Sequence, residues 1–187
     1  MRIISGFLKG KTLNYIKNSK TRPLKDIVRE NIFNILNHSN LIKINLLNSK
    51  VLDTYSGIGS FGIECLSRGA KKTTFVESNN EASKILKENL SILSISDKTF
   101  VFDDKIEKFL RINKKEKYNI IFFDPPYSDS SFIKNLQSIK DNKMYEAKHI
   151  IIIHRERETW DGLKDYIDIL ITKKYGRSKI FFGIFSK

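Results

Sequence analysis

The sequence predicts an α/β fold built on a mostly parallel, seven-stranded sheet whose last strand runs antiparallel. Three observations predict it. From about residue 50, short apolar runs alternate with amphipathic helical runs, the pattern of right-handed crossovers and a sheet covered on both faces. A G-x-G-x-x-G stretch at Gly57, Gly59 and Gly62 joins one such run to the helix after it. The chain ends in two strand-like runs joined at Gly176 with no helix between them, which reads as a closing hairpin.

The elements follow in order. The first ~20 residues read as short strands with turns at Gly6 and Gly10. TRPLKDIVRENIFNILNHS reads as a helix, with Thr21 near the cap and Pro23 near the first turn. Ile27, Val28, Ile32, Phe33, Ile35 and Leu36 supply its apolar stripe. KVLDTY is a strand, and GSFGIECLSRGA a helix closed by Gly69. KKTTFVES is a strand, and NNEASKILKENLSIL an amphipathic helix. KTFVFDD and KIEKFLRIN repeat the pair, as do YNIIFFD and SFIKNLQSI. HIIIIHRE is a strand, and YIDILITKKYG with RSKIFFGIFSK makes the hairpin.

A chain of 187 residues suits one domain with a full core. Its organisation reads as a basic N-terminal extension, residues 1–45, on a core of residues 46–187. The single cysteine, Cys65, excludes an internal disulfide framework and a zinc site built on several thiolates; no metal site is expected, and Cys65 reads as core. The N-terminus lacks the apolar run of a secretory signal, and no segment reaches the ~18 apolar residues of a membrane span. A cytoplasmic location without membrane contact is expected. A monomer is expected for want of an obvious extra apolar surface.

Lys and Arg total 34 against 21 Asp and Glu, a net charge of +13, which favours a polyanionic partner. Before Asp26 the chain carries seven basic residues and no acid: Arg2, Lys9, Lys11, Lys17, Lys20, Arg22 and Lys25. That distribution points to a nucleic-acid-facing arm.

The glycine loop acquires meaning from its acids. Glu77 ends the next strand, 18 residues after Gly59, where a carboxylate can accept from a ribose diol. Loop and acid together argue for an adenosine-containing cofactor. Asp53 stands four residues before Gly57; a fixed anion there repels a pyrophosphate and welcomes an ammonium group such as that of S-adenosyl-L-methionine. The helix N-terminus remains available to that cofactor's carboxylate. Asp53, Glu77 and one of Asp103 or Asp104 then stand at the carboxyl ends of three successive strands, where open α/β sheets bind ligands.

Asp124-Pro125-Pro126-Tyr127 ends the next strand at the same edge. An exocyclic amine is a poor nucleophile because its lone pair is delocalised into the base. Acceptors aimed at its N–H bonds stabilise the charge that develops on methylation. The Asp124 carboxylate and the Pro125 carbonyl can supply them. The prolines hold those acceptors rigidly and remove competing donors. Tyr127 offers a face for a flipped-out base, worth roughly 1–3 kcal/mol.

DPPY after an apolar strand, with LDTYSGIGSFG upstream, resembles the class I S-adenosylmethionine-dependent amino-methyltransferases. RIISGFLKGKTL, TRPLKDIVRENIFNIL, VLDTYSGIGSFGIECLSRGA, FVES, IIFFDPPY and KKYGRSKIFF are similar to successive blocks of the RsmD family, 16S ribosomal RNA (guanine-N2)-methyltransferases. The resemblance spans nearly the whole chain and implies a Rossmann-like class I methyltransferase fold with a small N-terminal β-hairpin and helix extension. It implies that Asp53, Gly57, Gly59, Glu77 and Asp104, with Tyr55, Ser78 and Lys105, line an S-adenosyl-L-methionine pocket. It places the guanine at Asp124, Pro125, Pro126 and Tyr127. It implies RNA contact by the N-terminal hairpin, here Arg2, Lys9 and Lys11, with Arg22 contacting RNA or cofactor. The implied partner is 16S rRNA, within the small subunit or an assembly intermediate. His154 is given no role, since an acid is expected nearer that point.

The same four DPPY residues also serve a DNA adenine-N6 methyltransferase. Such enzymes usually carry a sizeable target-recognition region, and only the small basic arm is left here to read a target. A substrate whose own shape supplies specificity, such as folded rRNA, is favoured. A protein-glutamine methyltransferase is disfavoured because Asp124 stands where its motif begins with Asn. An RNA-binding module that has lost its cofactor is disfavoured by the intact loop, Glu77 and DPPY. A nicotinamide dehydrogenase is disfavoured by Asp53.

Overall fold

A computed structural model describes residues 1–16, 24–159 and 162–186. Helix α1 (Asp26–His38) precedes the alternating core: β1 (Lys50–Thr54), α2 (Ser60–Ser67), β2 (Lys72–Val76), α3 (Asn80–Ile92), β3 (Thr99–Phe102), α4 (Ile106–Ile112), β4 (Tyr118–Phe123), α5 (Phe132–Asp141) and β5 (Tyr145–Glu156). Strands β6 (Asp168–Tyr175) and β7 (Ser178–Ile184) close the chain. They form one seven-stranded sheet in the order β3-β2-β1-β4-β5-β7-β6. The pairs among β1 to β5 are parallel, while β7 is antiparallel to both β5 and β6. Strand β6 therefore runs in the same sense as β1 to β5, and only the last strand is reversed, as expected.

Burial on both faces explains the near-continuous apolar strands. Along β5, Ile150 and Ile152 join one buried cluster and Ile151 and Ile153 the other. Strand β4 splits likewise: Ile120 and Phe122 against Ile121 and Phe123. The first cluster takes in α1 to α3, with Val28, Phe33, Phe61 and Leu86. The second takes in α4 and α5, with Phe109, Phe132 and Leu136. Cys65 is wholly buried in the first.

The expected N-terminal hairpin is present but short: around one antiparallel bridge, Arg2 to Thr12, Ile3 N donates to the Lys11 carbonyl and Leu13 N to the Met1 carbonyl, both at 2.9 Å. Other amides of the hairpin go to α2. Ile4 N and Ser5 N donate to the Glu64 carboxylate at 2.8 and 3.0 Å, and Leu8 N to Ser67 Oγ at 3.0 Å. Phe7 N donates to the Ser67 carbonyl at 2.9 Å. The hairpin is thus bonded to α2 as well as to itself.

The expected stripe of α1 is shifted. Ile27 is 62% exposed, while Arg29 is wholly buried. Position 29 shares a face with Ile32, Phe33 and Leu36, and position 27 shares the polar face of Asn31 and Asn34. The Arg29 guanidinium donates to the Arg2 carbonyl and to Asp26, tying the arm to α1. Thr21 and Pro23, expected near the helix start, lie outside the described residues.

Gly6 adopts φ +83°, and a Cβ there would lie 1.8 Å from the Ser67 carbonyl oxygen. Gly6→Ala is expected to destabilise the protein by about 1–3 kcal/mol. Hydrogen exchange checks it: the amides of Ile4, Ser5 and Leu8 should exchange faster, those of β4 far less so.

Candidate active site

Parallel strands deliver their last residues to one edge of the sheet. Asp53 lies in β1 beside Phe75 and Phe122, Glu77 follows β2, and Asp124 follows β4. The loop between β1 and α2 is tightly wound: Tyr55, Gly57 and Gly59 have φ of 54°, 55° and 84°. Its turns are held by Ser56 N donating to the Val76 carbonyl at 3.0 Å and Gly59 N to the Ser56 carbonyl at 2.8 Å.

Asp53 and Glu77 each have a backbone donor. Gly62 N, in the first turn of α2, donates to Asp53 Oδ2 at 2.9 Å. Gly57 N donates to Glu77 Oε2 at 2.6 Å, and Asn79 N to Oε1 at 2.7 Å. Glu77 is therefore bonded directly to the glycine loop. Asp53 is 1% exposed. Burial raises its pKa well above the ordinary carboxylate value; the Gly62 amide opposes this, and Asp124 and Glu77 push it further up.

The three glycines divide their roles. A Cβ on Gly59 would lie 2.4 Å from Leu86 Cδ1, and one on Gly62 2.4 Å from Phe75 Cε1. These two serve close packing. A Cβ on Gly57 would meet nothing within 4 Å, so Gly57 alone faces open space. Beside it, the Ser56 hydroxyl oxygen is buried without a hydrogen-bond partner among the described residues.

The two candidate third acids are separated by their partners. Asp103 accepts from Ser83 Oγ and Lys87 Nζ on α3. Asp104 accepts from Lys105 N at 2.8 Å and from Lys108 Nζ. Burial alone would raise the Asp103 pKa, but Lys87 and Ser83 bring it below the ordinary value. Lys108, then the Lys105 amide, lower that of Asp104. Ser78 and Lys105 are exposed. Tyr55 turns toward α5: its hydroxyl accepts from Asn135 Nδ2 at 3.1 Å, and burial raises its pKa far above the usual phenol value.

The DPPY segment is gripped from both faces of β5. His154 Nδ1 lies 2.7 Å from Asp124 Oδ1, and His154 Nε2 lies 2.9 Å from Ser178 Oγ. The Tyr127 ring meets the His154 ring edge-on, with centroids 5.9 Å apart at 73°. The next residue, Arg155, projects to the other face. Its Nη1 donates to the Pro126 carbonyl at 3.0 Å and its Nη2 to the Tyr127 carbonyl at 3.1 Å. Its guanidinium sits 4.6 Å from the Phe132 ring centroid. Pro125 is buried, Pro126 exposed, and Asp124 keeps 23% of its side chain accessible.

Sequence reasoning gave His154 no role and did not single out Arg155. The usable signal was register: Phe123 pairs with Ile153, so the residues that follow them are neighbours.

The basic arm is placed differently. Arg2, Lys9 and Lys11 are exposed. The Gly6–Gly10 turn rests on Ser67, the last residue of α2, and Lys98 Nζ lies 5.5 Å from the Phe7 ring centroid, just before β3. Both neighbours lie at the amino edge of the sheet, opposite Asp124. Arg22 lies outside the described residues.

The family model described as "Conserved hypothetical protein 95" matches residues 1–184. YlbH of Bacillus subtilis (strain 168), whose name assigns it provisionally to the rRNA methyltransferases, is 32% identical over 177 residues, covering 93% of this chain and 92% of that protein. The ribosomal RNA small subunit methyltransferase D of Buchnera aphidicola subsp. Acyrthosiphon pisum (strain APS) is 31% identical over 156 residues, covering 83% of this chain and 78% of that one. The solved structure of yhhF from Escherichia coli, provisionally a methyltransferase by name, superposes with a TM-score of 0.83 at 27% identity. It covers 98% of this chain and 96% of that chain.

The buried Asp53 carboxyl generates a pH prediction. Its folded pKa is raised above the ordinary 3.8, so as pH rises the unfolded chain releases this proton first. Stability present at low pH is then lost as pH climbs toward the folded pKa. Asp53→Asn keeps an acceptor for Gly62 and removes the titration. The unliganded variant should show a higher urea midpoint than the parent at neutral pH, with the gap closing below about pH 4.

Proposed function

This chain belongs to the RsmD family, described as conserved hypothetical protein 95, and on that premise we propose that it transfers a methyl group from S-adenosyl-L-methionine to the exocyclic N2 of a specific guanine in 16S rRNA. The observation that carries the reading is the Asp124 carboxylate, fixed by His154 beside a glycine loop that opens at the same sheet edge.

The residues present fit the cofactor. Asp124 and Glu77 lie close enough to raise the proton affinity of Asp53, so the edge favours a cation and disfavours a pyrophosphate. Gly57 leaves space, and the unpartnered Ser56 hydroxyl offers a polar contact. Glu77 would hold the ribose diol, and Asp53 the ammonium group. Tyr55, Ser78, Gly59, Asp104 and Lys105 complete the proposed pocket, with Asp103 competing for the adenine contact. S-adenosyl-L-methionine, when bound, supplies an electrophilic methyl group on a cationic sulfur.

The chain's own groups do the rest. Asp124 accepts a hydrogen bond from the guanine amine, and the Pro125 carbonyl is the second acceptor. As the N–C bond forms, positive charge grows on nitrogen, and the fixed carboxylate stabilises it without reorganising. The amine proton then leaves to Asp124 or solvent. His154 positions Asp124: the ionised carboxylate only accepts, so Nδ1 carries the proton and Nε2 can accept from the Ser178 hydroxyl. Arg155 immobilises Pro126 and Tyr127 through their carbonyls, which sets the plane of the Tyr127 ring for stacking. We assign the exposed Arg2, Lys9 and Lys11, with Arg22, to RNA contact as part of a residue 1–45 extension on a residue 46–187 core. We place the protein in the cytoplasm as a monomer acting on the small subunit or an assembly intermediate. Among the described residues no helix is long and apolar enough to cross a membrane.

Labelled-methyl transfer to undermethylated small subunits, naked 16S rRNA, 23S rRNA and DNA tests the reading. N2-methylguanosine in 16S rRNA is expected after digestion and mass spectrometry; methyladenine in DNA overturns the substrate. Asp124→Ala should lower transfer by about 10²–10³ or more while calorimetry still detects cofactor binding. Unchanged turnover would remove Asp124 from the mechanism.

A further inference from the structure

Strand direction brings a second cationic surface to the catalytic edge. Because β6 runs parallel to β1–β5, its carboxyl end carries Lys173, Lys174 and Tyr175 to the edge that holds Asp124. Strand β7 departs from there with Ser178 and Lys179. The turn is braced on β5: Arg157 N donates to the Arg177 carbonyl at 2.7 Å, and Arg177 Nη2 to Glu156 Oε1 at 2.7 Å. Lys179 Nζ donates to the Thr159 carbonyl at 2.7 Å. Lys173 and Lys174 are exposed, and the Arg177 side chain is 74% exposed despite its bond to Glu156, so its other N–H groups face solvent.

This surface is physically joined to the reacting group. Ser178, the residue after Arg177, touches His154, and His154 touches Asp124. In the sheet β7 stands two strand spacings from β4, about 10 Å. That is within a nucleotide's reach from its base amine to its flanking phosphates. The arm's glycine turn, by contrast, sits at the amino edge.

We propose that the β6–β7 turn, through Lys173, Lys174 and Arg177, is an RNA-backbone site that grips phosphates flanking the target nucleotide. The proposal rests on the reading that the substrate is RNA. Phosphate contacts position a substrate without reading its sequence, which is what a flipped base needs once Asp124 and Tyr127 supply recognition. Arg177 can engage a phosphate in a planar fork, and the lysines act as point charges.

The test compares two double variants with the same charge change. Lys173→Ala/Lys174→Ala removes charge at the turn. Lys114→Ala/Lys115→Ala removes it from the exposed segment before β4, at the opposite edge. Affinity for a 16S rRNA fragment is measured by fluorescence anisotropy over a salt series, with S-adenosyl-L-methionine affinity by calorimetry as the check on folding. The turn variant should bind RNA about tenfold more weakly, with a log–log salt slope shallower by about one to two. The control pair should keep the parent slope. An unchanged slope in the turn variant, or equal losses in both, overturns the proposal. Failure of the parent protein to bind or methylate any RNA overturns the functional reading itself, a result separable from the first two.

Discussion

Carboxylates gathered at the end of a parallel sheet repel one another, and each must be held by a donor that the local fold supplies. This constraint shapes the whole catalytic edge. Asp53 takes the Gly62 amide, which requires α2 to begin close over β1. Glu77 takes the Gly57 and Asn79 amides, which requires the loop to turn through left-handed residues and α3 to start immediately. Asp124 takes an imidazole nitrogen from the neighbouring strand. Repulsion is not fully relieved, since Asp124 and Glu77 still push the Asp53 pKa up, and this arrangement costs the fold stability.

The arm depends on the same physics one helix away. Glu64 is wholly buried, yet it accepts from two arm amides and from Arg68 Nε at 2.8 Å. A buried carboxylate so satisfied accepts the arm amides that its own hairpin leaves unpaired. Asn89 extends the link. Its Oδ1 accepts from Asn14 N at 2.8 Å, and its Nδ2 reaches the carbonyls of Asn14 and of Ile58 in the glycine loop at 3.1 and 3.4 Å. The arm is therefore continuous with the loop through one side chain, not an appendage beside it.

Local patterns carried the fold. The alternation of apolar runs and helices, the loop spacing and the terminal Gly176 turn gave the strands, their mostly parallel sense and the reversed last strand. What stayed hidden are contacts between distant residues. His154 and Asp124 are 30 apart in sequence, and nothing near either one announces the other. Nothing in the sequence singled out Arg155, yet Phe132 and two loop carbonyls make its burial favourable. Arg29 displaced Ile27 from the core face because helical geometry aligns it with Ile32 and Phe33, and hydrophobicity alone ranks them the other way.

The glycine motif shows why spacing and function can coincide without a common cause. Gly59 caps α2 in a left-handed conformation, and Gly62 follows one turn later on the same helical face. Both abut the Phe75 ring: an added Cβ would come 3.3 Å from it at Gly59 and 2.4 Å at Gly62. Their three-residue separation is thus set by the helix and by one aromatic ring of β2. Only Gly57 is free of any packing neighbour. Two of the three glycines would be needed by any strand-to-helix junction packed this closely. The motif becomes diagnostic only through Glu77, whose carboxylate accepts from the Gly57 amide and ties the loop to the carboxyl end of β2.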